Sequence, residues 1–471
     1  MNQEKKYENT IMNFEPTKAS IRKHKVPDWY HDAKFGIFIH WGLYSVPAFA
    51  VKELTFTESP EQGMEYYFKN NPYGEWYLNT LRIPGSLTQD YHYREYGEDF
   101  SYEDFIPIFN KELEKWNPQD WAELFKNAGA KYVVLVTKHH DGFLLWPSKY
   151  KNPMKENYFA SRNIVSELTN SVKTEGMKMG FYYSTSFDWS FNPEPIDSRT
   201  NDLTNGITTP EYTEYVKNHW YELIDEYKPS ILWSDIGAPP LFDLFELFAY
   251  YYNKFPDGVI NDRWDKIFHE DGKVYKMRRT FFYDFTTPEY YSYKIFKKKK
   301  WESNRGIGNS YGYNKIEKEG DYLTSNELIK MLVDIVSKNG NLLLNVGPMP
   351  DGRIPEIQKE VLLGIGQWLE INGEGIYGTR PWERAEGKTT DNQEVRFTQK
   401  KEVLYIHLLN KPMGNSLSIL SLNIPQSSSI KLLGYNYQIL WEQVQENLII
   451  KVPEKLGESP VYVFKVKPNE A

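Results

Sequence analysis

Apolar runs that break off on a polar group recur along this chain. Ile231-Leu232-Trp233-Ser234 ends on Asp235, and Phe38-Ile39 ends on His40. Val134-Leu135-Val136 runs out into Thr137-Lys138-His139-His140, and Phe181-Tyr182-Tyr183 into Ser184. A loop and then a helical pattern follow each run. Parallel strands alternating with helices have this layout, and their C-terminal ends share one mouth where barrel enzymes carry their chemistry.

The strand expectations are Phe35–His40, Tyr132–Lys138, Met179–Ser184, Ile231–Asp235, Gly258–Asn261, Thr280–Phe285 and Leu342–Val346. Most are rich in Val, Ile, Phe and Leu without alternation, as strands covered on both faces require. Asn117-Pro118 opens a helix that Gly129 ends. A second helix is expected from Ser161 to Gly176, and a third from Pro210 towards Tyr227. Ser325-Asn326-Glu327 starts a fourth, with Leu328, Met331, Leu332, Ile335 and Val336 at helical spacing, closed by Asn339-Gly340. These repeated units predict an irregular (β/α)8 TIM-like barrel.

After Thr379 the texture changes to short β-rich segments separated by Pro, Gly and Asn: Glu394–Thr398, Val403–Leu409, Ser416–Leu422, Leu448–Val452 and Val461–Val466. They predict a small C-terminal antiparallel β-sandwich, packed closely on the barrel because no Ser/Gly-rich linker intervenes. The expected organisation is a polar, frayed segment over 1–20, a catalytic barrel over 21–378 and the sandwich over 379–471. A chain of 471 residues is too long for one ordinary core, so more than one domain is expected.

The net charge is −8, and no basic stripe stands out apart from Lys297-Lys298-Lys299-Lys300, read as a solvated loop, so no nucleic-acid partner is expected. There is no cysteine, which excludes disulfides, thiolate nucleophiles and Cys-held metals. No window is apolar enough to span a bilayer and the first residues carry no apolar signal region, so a cytoplasmic protein is the default. A trimmed secreted form would carry the same sequence. The 36 Tyr, 26 Phe and 14 Trp either build large cores or stack on sugar rings.

His40, the group His139-His140-Asp141, Asp235 and the group Asn261-Asp262-Arg263 all follow strand candidates and converge on one rim. Three chemistries can use such a set. Metal-assisted hydrolysis would take His and Asp ligands, but there is no His-x-His on the first strand and no His-Glu-x-x-His, and adjacent His139 and His140 would point apart if both were in a strand. Proton abstraction would need a cofactor or metal, and no phosphate-cradling Gly-rich loop is present. Glycoside hydrolysis needs two carboxylates, for which Asp235 is a ready nucleophile.

On these residues the chain resembles the retaining α-L-fucosidases of glycoside hydrolase family 29. The resemblance rests on Ala33–Gly42 (AKFGIFIHWG), Glu75-Trp76-Tyr77, Thr137–Phe143 (TKHHDGF), Leu232–Asp235, Trp301-Glu302, Ser310–Asn314 (SYGYN) and Gly340–Pro348 (GNLLLNVGP). It implies a metal-free, cofactor-free exo-glycosidase acting on fucosylated oligosaccharides or glycoconjugates, with oligomeric state left open. By position it makes Asp235 the nucleophile. His40, Glu75, Trp76, His139, His140, Tyr182 and Arg263 would line the fucose pocket, with Trp233 and Tyr311 against the sugar's methyl group. Glu289, in Thr287-Pro288-Glu289-Tyr290, is the first choice for the acid/base, and Glu302 the second.

Two stretches depart from the family pattern. Trp233-Ser234-Asp235-Ile236-Gly237 stands where the family carries Trp-Phe-Asp-Gly, which puts the pocket wall in question. The stretch from 46 to 74, with Phe49, Phe56, Tyr66, Tyr67 and Phe68, is either a leaving-group subsite, an oligomer contact or an ordinary surface insertion.

Overall fold

The computed structural model describes residues 13–52, 63–270, 273–278, 282–436 and 438–468. The barrel strands are β1 (Phe35–Ile39), β2 (Tyr132–Lys138), β3 (Lys178–Ser184), β4 (Ile231–Asp235) and β5 (Val259–Ile260). An antiparallel hairpin, β6 (Lys266–Glu270) and β7 (Lys273–Arg278), stands apart from the sheet. β8 (Trp301–Gly306) and β9 (Gly340–Val346) complete it. Seven strands form one curled parallel sheet in the order β5-β4-β3-β2-β1-β9-β8.

The side-chain period of two explains why these runs lack polar alternation. One set, including Phe38, Val134, Tyr182, Trp233 and Leu343, fills the interior of the curl. The alternate set, including Ile37, Leu135, Phe181, Leu232 and Leu344, packs outward against the helices.

The expected strand Thr280–Phe285 does not form over its described residues, 282–285. Thr280 and Phe281 lie outside the described residues, and the chain from 284 to 289 bridges the sheet's two edges irregularly. Asp284 N donates to Ile260 O at 3.0 Å on the β5 side. On the β8 side Thr286 N donates to Lys300 O at 3.2 Å and Glu302 N to Thr286 O at 2.8 Å. β8 itself was missed in the sequence because Trp301-Glu302-Ser303-Asn304-Arg305-Gly306 reads as polar; Glu302 and Asn304 point inward and find partners inside the barrel.

The helices from 118 and 325 form where expected, over Pro118–Asn127 and Ser325–Ser337, the second closed at its start by a capping box of Thr324 and Glu327. The second expected helix begins later, at Ile164, because Asn163 rather than Ser161 caps it by accepting from Ser166 N. The third runs over Pro210–Glu222 and continues as a π-helical turn, Leu223–Tyr227. Helices Leu244–Lys254 and Glu356–Asn372 were not anticipated.

Two further expectations are corrected. The segment up to Ser20 is anchored from Phe14 onward: its ring is buried, its N–H donates to Asn253 Oδ1 at 2.6 Å and its carbonyl accepts from Asn253 Nδ2 at 2.9 Å. Residues 1–12 lie outside the described residues. The lysine run is not all solvated: Lys298 and Lys299 are exposed, but Lys300 is buried at the start of β8.

Beyond the barrel, Arg380–Lys388, Glu394–Lys400, Val403–Leu408, Tyr462–Lys467, Ser429–Leu432 and Gln438–Ile439 form a six-stranded sheet in that order. Ser416–Ile419, Asn447–Lys451 and Trp441–Val444 form a three-stranded one. Phe397, Ile406, Leu417, Ile450 and Phe464 lie in the apolar core shared by the two sheets. Tyr405 and Val463 join the barrel's own core, and Trp368 Nε1 donates to Val461 O at 3.1 Å, so the two parts pack directly. Among the described residues no helix is long and apolar enough to cross a membrane.

Gly36 of β1 makes a testable contact. A Cβ there would lie 2.4 Å from the ring of Tyr132, which is fully buried and whose hydroxyl is tied to Glu302. Gly36→Ala is expected to lower unfolding free energy in urea by about 1–3 kcal/mol through overpacking. An unchanged midpoint and slope would show that the ring has room to yield.

Candidate active site

The alternation that fills the barrel also aims its chemistry. Ile231, Trp233 and Asp235 share the interior face of β4, so Asp235 emerges at the mouth directly above the Trp233 ring. His40 follows β1 on the face of Phe38, and Arg263 follows β5. They line a cavity of about 480 Å³ at the C-terminal ends of the strands.

One guanidinium organises the mouth. Arg263 Nη1 donates to Asp235 Oδ1 at 3.1 Å and Nη2 donates to Glu289 Oε2 at 2.9 Å. Its plane lies over the Trp233 ring, 4.7 Å from the centroid. Arg263 Nε donates to Thr287 Oγ1 at 2.9 Å, and Asp262 Oδ1 accepts from Thr287 N and Oγ1, so the bridging segment that carries Glu289 is pinned on both sides. Tyr182 Oη donates to Asp235 Oδ2 at 2.8 Å, and Tyr73 Oη to Glu289 Oε1 at 3.3 Å.

The two carboxyl groups respond in opposite directions. Burial opposes ionisation of Asp235, but the Arg263 charge, His140 and the hydrogen bonds from Tyr182 and Arg263 outweigh it and hold the group below the usual carboxylate range. Burial raises Glu289; Arg263 opposes this without cancelling it, and the negative Asp235 adds to the rise.

Glu302 lies elsewhere. It is fully buried beneath the cavity, where Oε2 accepts from Tyr30 at 2.8 Å and Tyr132 at 2.6 Å, and Oε1 accepts from Trp233 Nε1 at 3.0 Å. It is absent from the cavity wall and holds the indole on which Arg263 rests.

The other expected residues, His40, Glu75, Trp76, His139, His140, Tyr182, Trp233 and Tyr311, all line the cavity. His139 and His140 do not point apart. β2 ends at Lys138, the backbone turns, and the two rings lie 4.0 Å from each other. Burial first of all keeps the imidazoles neutral: His40 is held down to about 3, His140 to about 4 and His139 well below the usual range. Asn345 Nδ2 donates to Tyr311 O, which turns Oδ1 towards His40 Nδ1 at 2.6 Å. The proton therefore sits on Nδ1, and Nε2 is left as an acceptor. Glu75 accepts from Gly312 N at 2.7 Å, and burial pushes it up to about 8.

Ser234, one departure from the family pattern, faces away from the cavity, towards Thr185 Oγ1 at 2.7 Å. Ile236, at a φ of 55°, does enter the wall. From the 46–74 stretch, Met64, Tyr67, Phe68, Asn71 and Tyr73 line the cavity, Tyr66 and Phe49 do not, and Phe56 lies outside the described residues. Tyr73, Asn304 and the positioning residue Asn345 were missed. Asn304 and Asn345 were within reach of a sequence reading, because they sit two and four residues along the inward face from Glu302 and Asn341.

Among the described residues, His40, Glu75 and His139 bring possible ligand atoms within 4.8 Å of one another. Two imidazoles and a carboxylate are a donor set that zinc accepts. The same neutral acceptors and protonated carboxyl also suit a row of sugar hydroxyls.

Residues 1–374 match the family model for α-L-fucosidase, and residues 388–467 match that for the α-L-fucosidase C-terminal domain. The chain is 34% identical over 456 residues to an α-L-fucosidase of Branchiostoma floridae, covering 93% of this chain and 92% of the relative. It is 33% identical over 469 residues to human plasma α-L-fucosidase, covering 95% and 90%. A crystal structure of Thermotoga maritima α-fucosidase in complex with fucose superimposes with a TM-score of 0.85 at 42% identity, over 96% of this chain and 100% of that one. With its barrel, its sandwich and its carboxylate-lined mouth, the chain belongs to the α-L-fucosidase family of glycoside hydrolases.

Proposed function

We propose that this α-L-fucosidase is an exo-acting, retaining enzyme that works through a covalent fucosyl-Asp235 intermediate, with Glu289 as acid and base. The observation that carries this reading is the shared Arg263: it joins two carboxyl groups whose proton affinities are driven apart, Asp235 down and Glu289 up. Retaining glycosidases need that division, one ionised carboxylate under the sugar and one protonated carboxyl beside the leaving oxygen.

In the first step an Asp235 oxygen bonds to the anomeric carbon as the glycosidic C–O bond breaks, and the Glu289 proton goes to the leaving oxygen. In the second, water gives a proton to Glu289 and its oxygen bonds to the anomeric carbon, releasing Asp235. Tyr182 and Arg263 bind the Asp235 oxygens and keep them ionised and oriented. His40, His139, His140, Glu75 and Trp76 take the sugar hydroxyls, where most of the selectivity lies. A methyl group against Trp233 and Tyr311 adds around 1 kcal/mol. A cavity closed below by Phe38 and Trp233 accepts a terminal residue, in keeping with the fucose held by the Thermotoga maritima relative.

Asp235→Asn is expected to lower turnover of an aryl α-L-fucoside by at least about 10³-fold. Azide should restore turnover to that variant with an inverted product and to Glu289→Ala with a retained one; the same configuration from both would refute the assignment. Since Asp235 lies below and Glu289 above its ordinary range, kcat/KM should fall on the acid side as Asp235 gains a proton and on the alkaline side as Glu289 loses one. With an activated aryl fucoside that needs no acid, Glu289→Gln should lose the alkaline limb and keep the acid one. Dialysis of the enzyme against a strong chelator should leave kcat unchanged, whereas a loss restored by Zn²⁺ would make the His40–Glu75–His139 group a metal centre.

A further inference from the structure

The opposite end of the barrel carries a second polar cluster that the proposed reaction does not use. Lys34 links the helix Asp28–Ala33 to β1 at a φ of 61°, a backbone conformation uncommon for a residue with a side chain. Its carbonyl accepts from Leu342 N at 2.8 Å, which sets it beside β9. Lys300 immediately precedes β8 on the other side of β9. Both side chains are almost wholly enclosed, at 0% and 2% exposure, and neither ammonium nitrogen has a hydrogen-bond partner among the described residues. His31 Nδ1, next to them, is unpartnered as well.

The charges around this floor do not balance the lysines. Arg380 adds a further cation, and it takes up the nearby carboxylates, with Nη1 2.6 Å from Asp32 Oδ1 and Nη2 3.4 Å from Asp28 Oδ1. Glu302, two residues along from Lys300, has both oxygens committed to Tyr30, Tyr132 and Trp233. Burial, and repulsion by neighbouring cations, hold Lys34 down to about 7 and Lys300 well below the usual ammonium range. A buried ammonium is stable only when paired and hydrogen-bonded. Two enclosed lysine side chains, at the starts of the two strands that flank β9 and with spare donors, have the chemistry of an anion site.

We infer that the barrel floor binds one small inorganic anion, chloride or a compact oxyanion such as phosphate, between the side chains of Lys34 and Lys300. Because both side chains are enclosed, the proposed occupant is a free ion rather than a group carried on a larger molecule. It would tie together the helix Asp28–Ala33, β1, β8 and, through Arg380, the first strand of the sandwich. Its role is structural, and it lies at the far end of the barrel from Asp235.

The test is thermal unfolding of the full chain with saturating L-fucose, so that the mouth is occupied. Sodium gluconate is exchanged for sodium chloride or sodium phosphate at constant ionic strength. A saturable rise in Tm of about 2 °C or more in one series is expected, and that series identifies the ion. Lys34→Met and Lys300→Met should each lose this rise while keeping the one produced by L-fucose. Equal Tm in all three salts, or an undiminished rise in both variants, overturns the inference. If the variants do not fold, calorimetric titration of the fucose-saturated wild type decides. One saturable chloride or phosphate site per chain upholds the inference, and no saturable binding overturns it.

Discussion

A single guanidinium, shared between Asp235 and Glu289 and laid on the face of Trp233, is the contact on which the geometry of the mouth depends. Asp235 is delivered by a regular strand and Glu289 by the irregular segment that bridges β5 and β8, and neither element positions the other. Arg263 does, because its two terminal nitrogens are fixed in one plane. Its own position is inherited from below: Trp233 is held by Glu302, and Glu302 by Tyr30 and Tyr132. A file of contacts, hydrogen bonds as far as Trp233 and then its ring face under Arg263, thus runs from the middle of the barrel to its mouth.

That file explains why the barrel interior tolerates so many polar groups. A buried carboxyl, imidazole or amide is costly unless its partners are in place. Glu302, His40, Glu75 and Asn304 each have one or more, supplied to the first three by residues distant in sequence. The histidines remain neutral acceptors because burial opposes their charging. Asp235 and Glu289, which the proposed chemistry employs, share the cavity with two further carboxyl residues, Glu75 and Asp202. At the other end Lys34 and Lys300 are enclosed without such partners among the described residues, and that contrast makes the floor stand out.

Much of this was legible in the chain. Five of the expected strands, β1 to β5, match to within a residue or so at each end, because such apolar runs must be covered on both faces. Histidine and aspartate at their ends pointed to the mouth, and every expected pocket residue lines it. What was missed has a common cause. β8 carries its polar side chains inward, against the usual pattern, and the start of the helix at Ile164 is set by the hydrogen bond that Asn163 accepts from Ser166 N. Phe14 and Lys300 looked solvated by their neighbours in sequence and are buried by neighbours in space.

Local sequence determined most of the barrel strands, which of their ends carry acids and imidazoles, and that β-rich sequence follows the barrel. These follow from periodicity and composition, properties of adjacent residues. Only the tertiary structure decided that Glu289 enters the cavity while Glu302 supports it from beneath, that His139 and His140 converge, and that one arginine joins the two carboxyl groups. Each of those outcomes depends on side chains brought together from separate strands and loops by closure of the sheet. Spacing along the chain carries no record of such meetings, since they are set by the curl of the barrel and by which partner satisfies each buried polar atom.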